Sequence, residues 1–369
     1  MNRLFRWDQT GLFLLALAAG ILPFAVPEVC AAALREGLTL CSGPLLLSLF
    51  PFLVVSRLLI QCPESDLLAL PFRLAAWGIG IRTPCAARVL CIGFLGGFAP
   101  AASAAAQAVR TGQLTAEEAD ALLPACICSG PSFVVLTVGQ SLLGSAELGV
   151  LLFASQITAN YLTAALLNRF AGVRSVKPGS AAPASPAPPR LDEILADAAI
   201  TYCKLCGFIL FFRMLAAGAG ALLPAGAGTL CAILLEVCSG CDLASRTGQW
   251  GSLLCCAALS VQGLSVLLQV RTICPPEMTL RPLYRARMLH LPLSLALFYL
   301  LLPGGEADVF STLPARVLLM RRVPPDCALL VFAVCCMAAC TLRSGIRQVE
   351  QKQMARNAGG CCINSKTLI

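Results

Sequence analysis

Charge is what this 369-residue chain has least of: Asp, Glu, Lys and Arg together make up 12% of it, against roughly 25% in an ordinary soluble domain. So few charges cannot clothe a water-soluble globule. With 58% hydrophobic residues and a mean hydropathy of +0.81, the chain is built for lipid. Histidine is almost missing too. His290 stands alone beside a basic loop, with no acidic residue near it in sequence, so no hydrolase triad can be assembled around it and no enzyme chemistry is expected. The net charge of +8 would suit a nucleic-acid partner, but Lys and Arg sit in short loops and tails, where membrane topology places them. Nucleic acid is therefore excluded, and the bilayer is the expected partner.

Cysteine, by contrast, is abundant at 21 residues. Cys203-x2-Cys206 and Cys238-x2-Cys241 have a spacing that signals zinc in a soluble protein. Both pairs lie in apolar surroundings where four thiolates would lose their hydration, so they read as small packing residues, with metal or redox chemistry as the rival. No metal or cofactor is expected. Cys361-Cys362 is too far from the end to be a prenylation box, which leaves acylation as the alternative there.

The apolar runs organise the chain. Gly11 to Leu34, with the single charge Glu28, is too long for a signal-peptide core and reads as a retained helix within an N-terminal segment 1–36. Unbroken spans are expected at 12–33, 40–60, 146–168, 196–222, 286–302 and 326–342, the last two short for a bilayer. Interrupted apolar segments fall at 88–109, 117–143, 226–245 and 250–273. A connector at 171–190 carries five prolines among Ala, Ser and Gly. It separates a first unit, 37–170, from a second, 191–302. An amphipathic stretch (Val309 to Met320) and a last span fill 303–342, and a basic tail runs over 343–369.

Parts of the first unit return in the second. Leu49-Phe50-Pro51-Phe52-Leu53-Val54-Val55-Ser56-Arg57 is echoed 156 positions later by Leu205-Cys206-Gly207-Phe208-Ile209-Leu210-Phe211-Phe212-Arg213. Arg110-Thr111-Gly112-Gln113 returns 136 positions on as Arg246-Thr247-Gly248-Gln249. The breaks Ser129-Gly130-Pro131 and Gln262-Gly263 then follow in matching places. Placing the basic loops 61–90, 169–190 and 271–287 and both tails in the cytoplasm makes the Arg57 and Arg213 helices run in opposite directions. The loop 303–325, with Arg316, Arg321 and Arg322, resists that threading. The expected fold is thus an all-α polytopic membrane protein, multi-pass in a bacterial cytoplasmic membrane with both termini cytoplasmic. Two inverted-topology repeats bring broken or re-entrant helices together near the bilayer midplane.

Chemistry is expected at those breaks, because hydrocarbon cannot satisfy the backbone groups they free. The half-helix after Ser129-Gly130-Pro131 begins with Ser132, and its positive end attracts anions. Ser129, Ser132 and Ser265 with Gln262 and Gln269 supply polar contacts; a proline kink re-satisfied by neighbours is the alternative. Glu236, in the run Glu236-Val237-Cys238-Ser239-Gly240, reads as a coupling-ion ligand, proton carrier or substrate contact, or as half of a buried pair. The candidate solute site is therefore Ser129, Gly130, Pro131, Ser132, Glu236, Ser239, Gly240, Gln262, Gly263, Ser265 and Gln269. Arg57 and Arg213 are expected to snorkel to headgroups or to act as counter-charges. Gly93 to Pro100 is too glycine-rich for a plain span and reads as a re-entrant turn; without a preceding strand it is no dinucleotide fingerprint. Thr115-Ala116-Glu117-Glu118 reads as a capping box. Gln156 and Asn160 share a helix face and either glue helices or face a cavity.

Five motifs in order carry a resemblance: Gly93-Phe94-x2-Gly96-Gly97-Phe98, Thr111-Gly112-x-Leu114-x2-Glu117-Glu118, Ser129-Gly130-Pro131-x-Phe133, Glu236-Val237-x2-Gly240, and Gly263-Leu264-Ser265-Val266-x2-Gln269. Over roughly residues 40–300 the chain resembles the nucleoside-recognition (gate) domain membrane proteins and their sporulation branch. The resemblance implies a fold similar to concentrative nucleoside transporters, with helical hairpins meeting near the membrane centre. It implies a secondary-type transporter of a small polar or anionic organic solute, such as dipicolinic acid during spore formation, coupled to H+ or Na+. A nucleoside carrier, or a non-transporting assembly factor for spore formation, is the alternative. The chain departs from the family pattern at Ile127, Cys128 and Leu267, where amides and a histidine are expected, and at Ala99, which separates the aromatic from its proline.

Overall fold

The computed structural model describes residues 9–171 and 191–302. The 171–190 connector (apart from Ala171), the 303–342 segment and the basic tail lie outside the described residues. Those that are described form helices and turns, with no strand among them. Four helices are long and apolar enough to cross a bilayer: Pro27–Gln61, Ala146–Ala171, Leu191–Leu222 and Gly248–Ile273.

The chain begins with α1 (Gln9–Ala25), α2 (Pro27–Ser42) and α3 (Pro44–Gln61). Here the expectation of one helix over Gly11–Leu34 is corrected. Pro27 has no N–H to continue α1 and instead opens α2, with Val26 kinked between them at φ −140° and ψ 63°. After α4 (Leu70–Gly78), the two units show the same order of elements. In the first, α5 (Pro84–Gly96) and α6 (Phe98–Arg110) fold back on each other about Gly97, and α7 (Ala116–Cys126) unwinds before a π-helical segment, Ser132–Leu142. Helix α8 (Ala146–Ala171) closes that unit. In the second, the long α9 (Leu191–Leu222) leads to α10 (Ala225–Leu235) and α11 (Val237–Ser245), folded about Glu236. Then α12 (Gly251–Val261) breaks at Gln262 into α13 (Gly263–Ile273), and α14 (Arg281–Leu301) follows. All four interrupted segments read from the sequence are thus broken.

The repeated tetrapeptide does the same work twice. Arg110 ends α6 and Arg246 caps α11; the glycine two residues on is left-handed in both, with φ +69° at Gly112 and +65° at Gly248. A left-handed residue after the last turn lets orphan carbonyls find donors, and only glycine adopts it freely. The threonine hydroxyls agree: Thr111 donates to the Gln107 carbonyl at 2.9 Å and Thr247 to the Ala244 carbonyl at 2.7 Å.

The capping box is present at the start of α7. The Glu118 amide donates to Thr115 Oγ1 at 3.1 Å, and the Thr115 amide donates back to Glu118 Oε2 at 3.2 Å. Thr83, just before α5, donates to Glu118 Oε1 at 2.6 Å, so the buried Glu118 also ties two helix starts together. Thr115→Ala is expected to cost about 1 kcal/mol. Glu118→Ala should cost more, because Thr83 loses its acceptor too; thermal unfolding of the purified variants in one detergent checks the order.

Candidate functional site

Each fold-back turn touches the break that follows it in the same unit. A Cβ built on Gly97, whose φ is +79°, would lie 2.7 Å from the Gly130 amide nitrogen. One built on Gly263, whose φ is +68°, would lie 2.9 Å from both the Glu236 nitrogen and the Leu235 carbonyl oxygen. Any side chain at either position would push backbone from backbone, so the close approach requires glycine. Gln262 beside it is also left-handed at φ +64°, which is unfavourable for a residue with a side chain.

Glu236 is 2% exposed, and its carboxylate meets three donors: the Cys238 amide at 2.8 Å, the Ser239 amide at 2.7 Å and the Ser239 hydroxyl at 2.9 Å. It caps α11, and the positive end of that helix offsets its charge. This explains how an acidic residue persists in apolar surroundings without a basic partner at hydrogen-bond distance. It also means that the first turn of α11 is already occupied by an anion.

A cavity of about 60 Å³ lies where the breaks converge. Its wall takes Ser129, Gly130 and Ser132 from the first break, Gly96 and Phe98 beside the first turn, Glu236 and Cys238 at the second turn, and Gln269 from α13. Leu45 and Leu49 of α3 and Ile209 of α9 close it with apolar surface. That volume is well below the roughly 300–1,000 Å³ of a typical ligand pocket, so the cleft is narrow.

Of the candidate residues, Ser129, Gly130, Ser132, Glu236 and Gln269 are brought together on this wall. The others stand behind it. Pro131 opens the π-helical segment, Ser239 donates its hydroxyl to Glu236, and Gly240 packs on the Ile233 backbone, which a Cβ there would approach to 2.8 Å. Gln262 and Gly263 form the turn against Glu236, and Ser265 accepts from Gln269 Nε2 at 3.0 Å. That last bond leaves Gln269 Oε1 buried without a donor, and Gln262 Oε1 is buried without one as well.

Sequence reading placed Arg287 in a cytoplasmic loop; the structure buries it at 7% exposure on α14. Its guanidinium donates to the Ile127 carbonyl at 2.9 Å, to the Ser260 carbonyl at 3.3 Å and to Asn160 Oδ1 at 3.4 Å. Those carbonyls belong to the frayed C-terminal ends of α7 and α12, the negative ends of two broken helices. One cation thus satisfies both breaks. Gln156 and Asn160 serve as glue beside it: Gln156 Nε2 donates to Ser260 Oγ at 2.9 Å, and Asn160 Nδ2 to the Ile127 carbonyl at 3.4 Å. His290 lies against the Gln156 carbonyl at 3.2 Å. The signal in the sequence was the spacing of Arg287, His290 and Ser294, which places all three on one helical face.

The expectation for Arg57 and Arg213 is corrected too. Arg57 pairs with Asp197, and Arg213 pairs with Glu36 at 2.7 Å, each pair bridging two helices. Asp120, which no motif flagged, accepts from the Thr279 amide at 2.8 Å and the Leu280 amide at 3.1 Å and so anchors the loop before α14. In that loop burial, reinforced by Asp120, pushes the Cys274 thiol up to about 12, which keeps it protonated and unreactive. Among the described residues, no three of His, Cys, Asp and Glu gather into a metal-binding group.

Helical architecture and four helices of bilayer length define the class of protein to which the chain conforms: an all-α membrane protein. Comparison with family models, with curated proteins and with solved structures finds no match.

Arg287→Met would leave the Ile127 and Ser260 carbonyls without their donor. The expected loss is on the order of 2–4 kcal/mol, read as a lowered unfolding midpoint, with Arg287→Lys losing less because one ammonium can still reach a carbonyl.

Proposed function

We propose that the chain is a secondary-type carrier that moves a small polar organic solute across a membrane by alternating access. The observation that carries this reading is the cleft itself: the first break, Glu236 at the second turn and Gln269 of α13 place polar groups from both units on one largely apolar wall, with Gln262 and Gly263 packed behind it. Binding sites between discontinuous helices of paired repeats are the hallmark of such carriers. The matched order of elements and the shared Gly112 and Gly248 geometry support two repeats of one ancestral unit. The distribution of Lys and Arg supports their inverted orientation, with both termini in the cytoplasm of a multi-pass protein.

Alternating access would use the two glycine contacts, Gly97 against Gly130 and Gly263 against Glu236, as the places where backbone can part.

The lining selects by chemistry. The Glu236 carboxylate and Gln269 Oε1 are acceptors on this wall, beside the hydroxyls of Ser129 and Ser132, which can donate or accept. Acceptors reward a solute that brings N–H or O–H donors, or a coupling H+ or Na+. A nucleoside supplies such donors. A dicarboxylate of the kind the resemblance implies brings none and would meet the charge of Glu236, so the cleft favours the nucleoside reading over the dianion.

Uptake of a labelled nucleoside panel and of pyridine-2,6-dicarboxylate into proteoliposomes tests this. The wild type should accumulate at least one nucleoside, and Gln269→Leu, which keeps the volume and removes the acceptor, should lower uptake roughly tenfold. Arg246→Gln, on an exposed pair with Asp242, should leave it unchanged. If neither solute class moves, the chain is a structural membrane factor and the carrier reading fails.

A further inference from the structure

A second cavity of about 300 Å³ lies away from the cleft and shares no lining residue with it. It forms where the C-terminal ends of α3, α6 and α13 meet the early turns of α9. Its character is opposite to that of the cleft. Arg57, Arg110 and Lys204 line it, faced by one acidic group, Asp197. Arg57 is paired with Asp197 and Arg110 donates to the Ile273 carbonyl at 3.5 Å, while no carboxylate pairs with Arg110 or Lys204 among the described residues.

Two buried polar atoms here lack partners. Ser103 is 2% exposed, and its Oγ makes no hydrogen bond; Arg57 Nε, on a side chain 10% exposed, makes none either. Burying a donor unsatisfied is costly, so such atoms point to a group that completes them. Thr201 and Thr272 add hydroxyls to the same wall. Cations that outnumber acids, hydroxyl and guanidinium donors left open, and a volume at the lower end of ligand pockets describe a receptor for a compact oxyanion.

We infer that this cavity binds a doubly charged oxyanion, a phosphate or dicarboxylate group, held between Arg57, Arg110 and Lys204 with Ser103 as a neutral donor. The inference does not rest on the carrier reading, since the two sites share no residue. The same chemistry could arrive as a soluble anion or as the headgroup of an anionic lipid with its chains along the exposed face of Ile200.

Delipidated full-length protein in neutral detergent is titrated with inorganic phosphate and with phthalate, at constant ionic strength set by chloride, and the shift in unfolding midpoint is fitted to a dissociation constant. In parallel, protein from nanodiscs containing phosphatidylglycerol or only phosphatidylcholine is examined by native mass spectrometry for retained lipid. Arg110→Gln and Lys204→Gln, both at exposed residues, should each weaken binding roughly tenfold, and Ser103→Ala roughly threefold. Asp197→Asn removes the one competing negative charge and should tighten binding, an effect that mere damage to the fold would not produce. Saturable stabilisation by phosphate or phthalate assigns a soluble anion. Retention of phosphatidylglycerol alone, lost in Arg110→Gln, assigns a headgroup. Absence of both, or binding unchanged by all four substitutions, overturns the proposal.

Discussion

A helix that stops inside apolar surroundings must find partners for the backbone groups it releases, and this constraint governs the molecule. Four helices stop, at Gly97, at Ile127 to Gly130, at Glu236 and at Gln262. None of these ends is left to solvent or lipid alone. The two turns lean on the two breaks through glycine contacts that admit no side chain, Glu236 caps the start of α11, and Arg287 takes up the carbonyl ends of α7 and α12. The cleft is the space left over when those obligations are met.

Charge is handled with the same economy. Among the described residues, the buried and half-buried ionised groups have structural partners: Glu236 a helix start, Arg287 two helix ends, Arg57 and Arg213 a carboxylate each, Asp120 a pair of loop amides. What stays unspent is therefore informative. In the cleft it is amide oxygens, which seek donors; in the second cavity it is cations and a hydroxyl, which seek an anion.

Much of the helical layout was legible because the relevant signals are local. Proline and glycine at positions 129–131 and 262–263 interrupt apolar runs, Thr115 and Glu118 have capping spacing, and Arg-Thr-Gly-Gln twice marks a helix end with a left-handed glycine. The kink at Val26 was missed because the hydrophobic run passes through Pro27 without interruption, so composition outweighed the lost amide. The π-helical form of Ser132–Leu142, a segment packed on α8, has no sequence signature. Long-range pairings were the least legible. Arg287 read as a loop cation because its partners are carbonyls 27 and 160 positions away.

The most direct measurement is an electron cryomicroscopy map of the protein in lipid nanodiscs, read at Arg287 and at the four breaks. The account predicts guanidinium density between the carbonyls of Ile127 and Ser260, with unwound backbone at 127–130 and a turn at 262 touching Glu236. Uninterrupted helices through those positions, with Arg287 extended toward the headgroups, would contradict it.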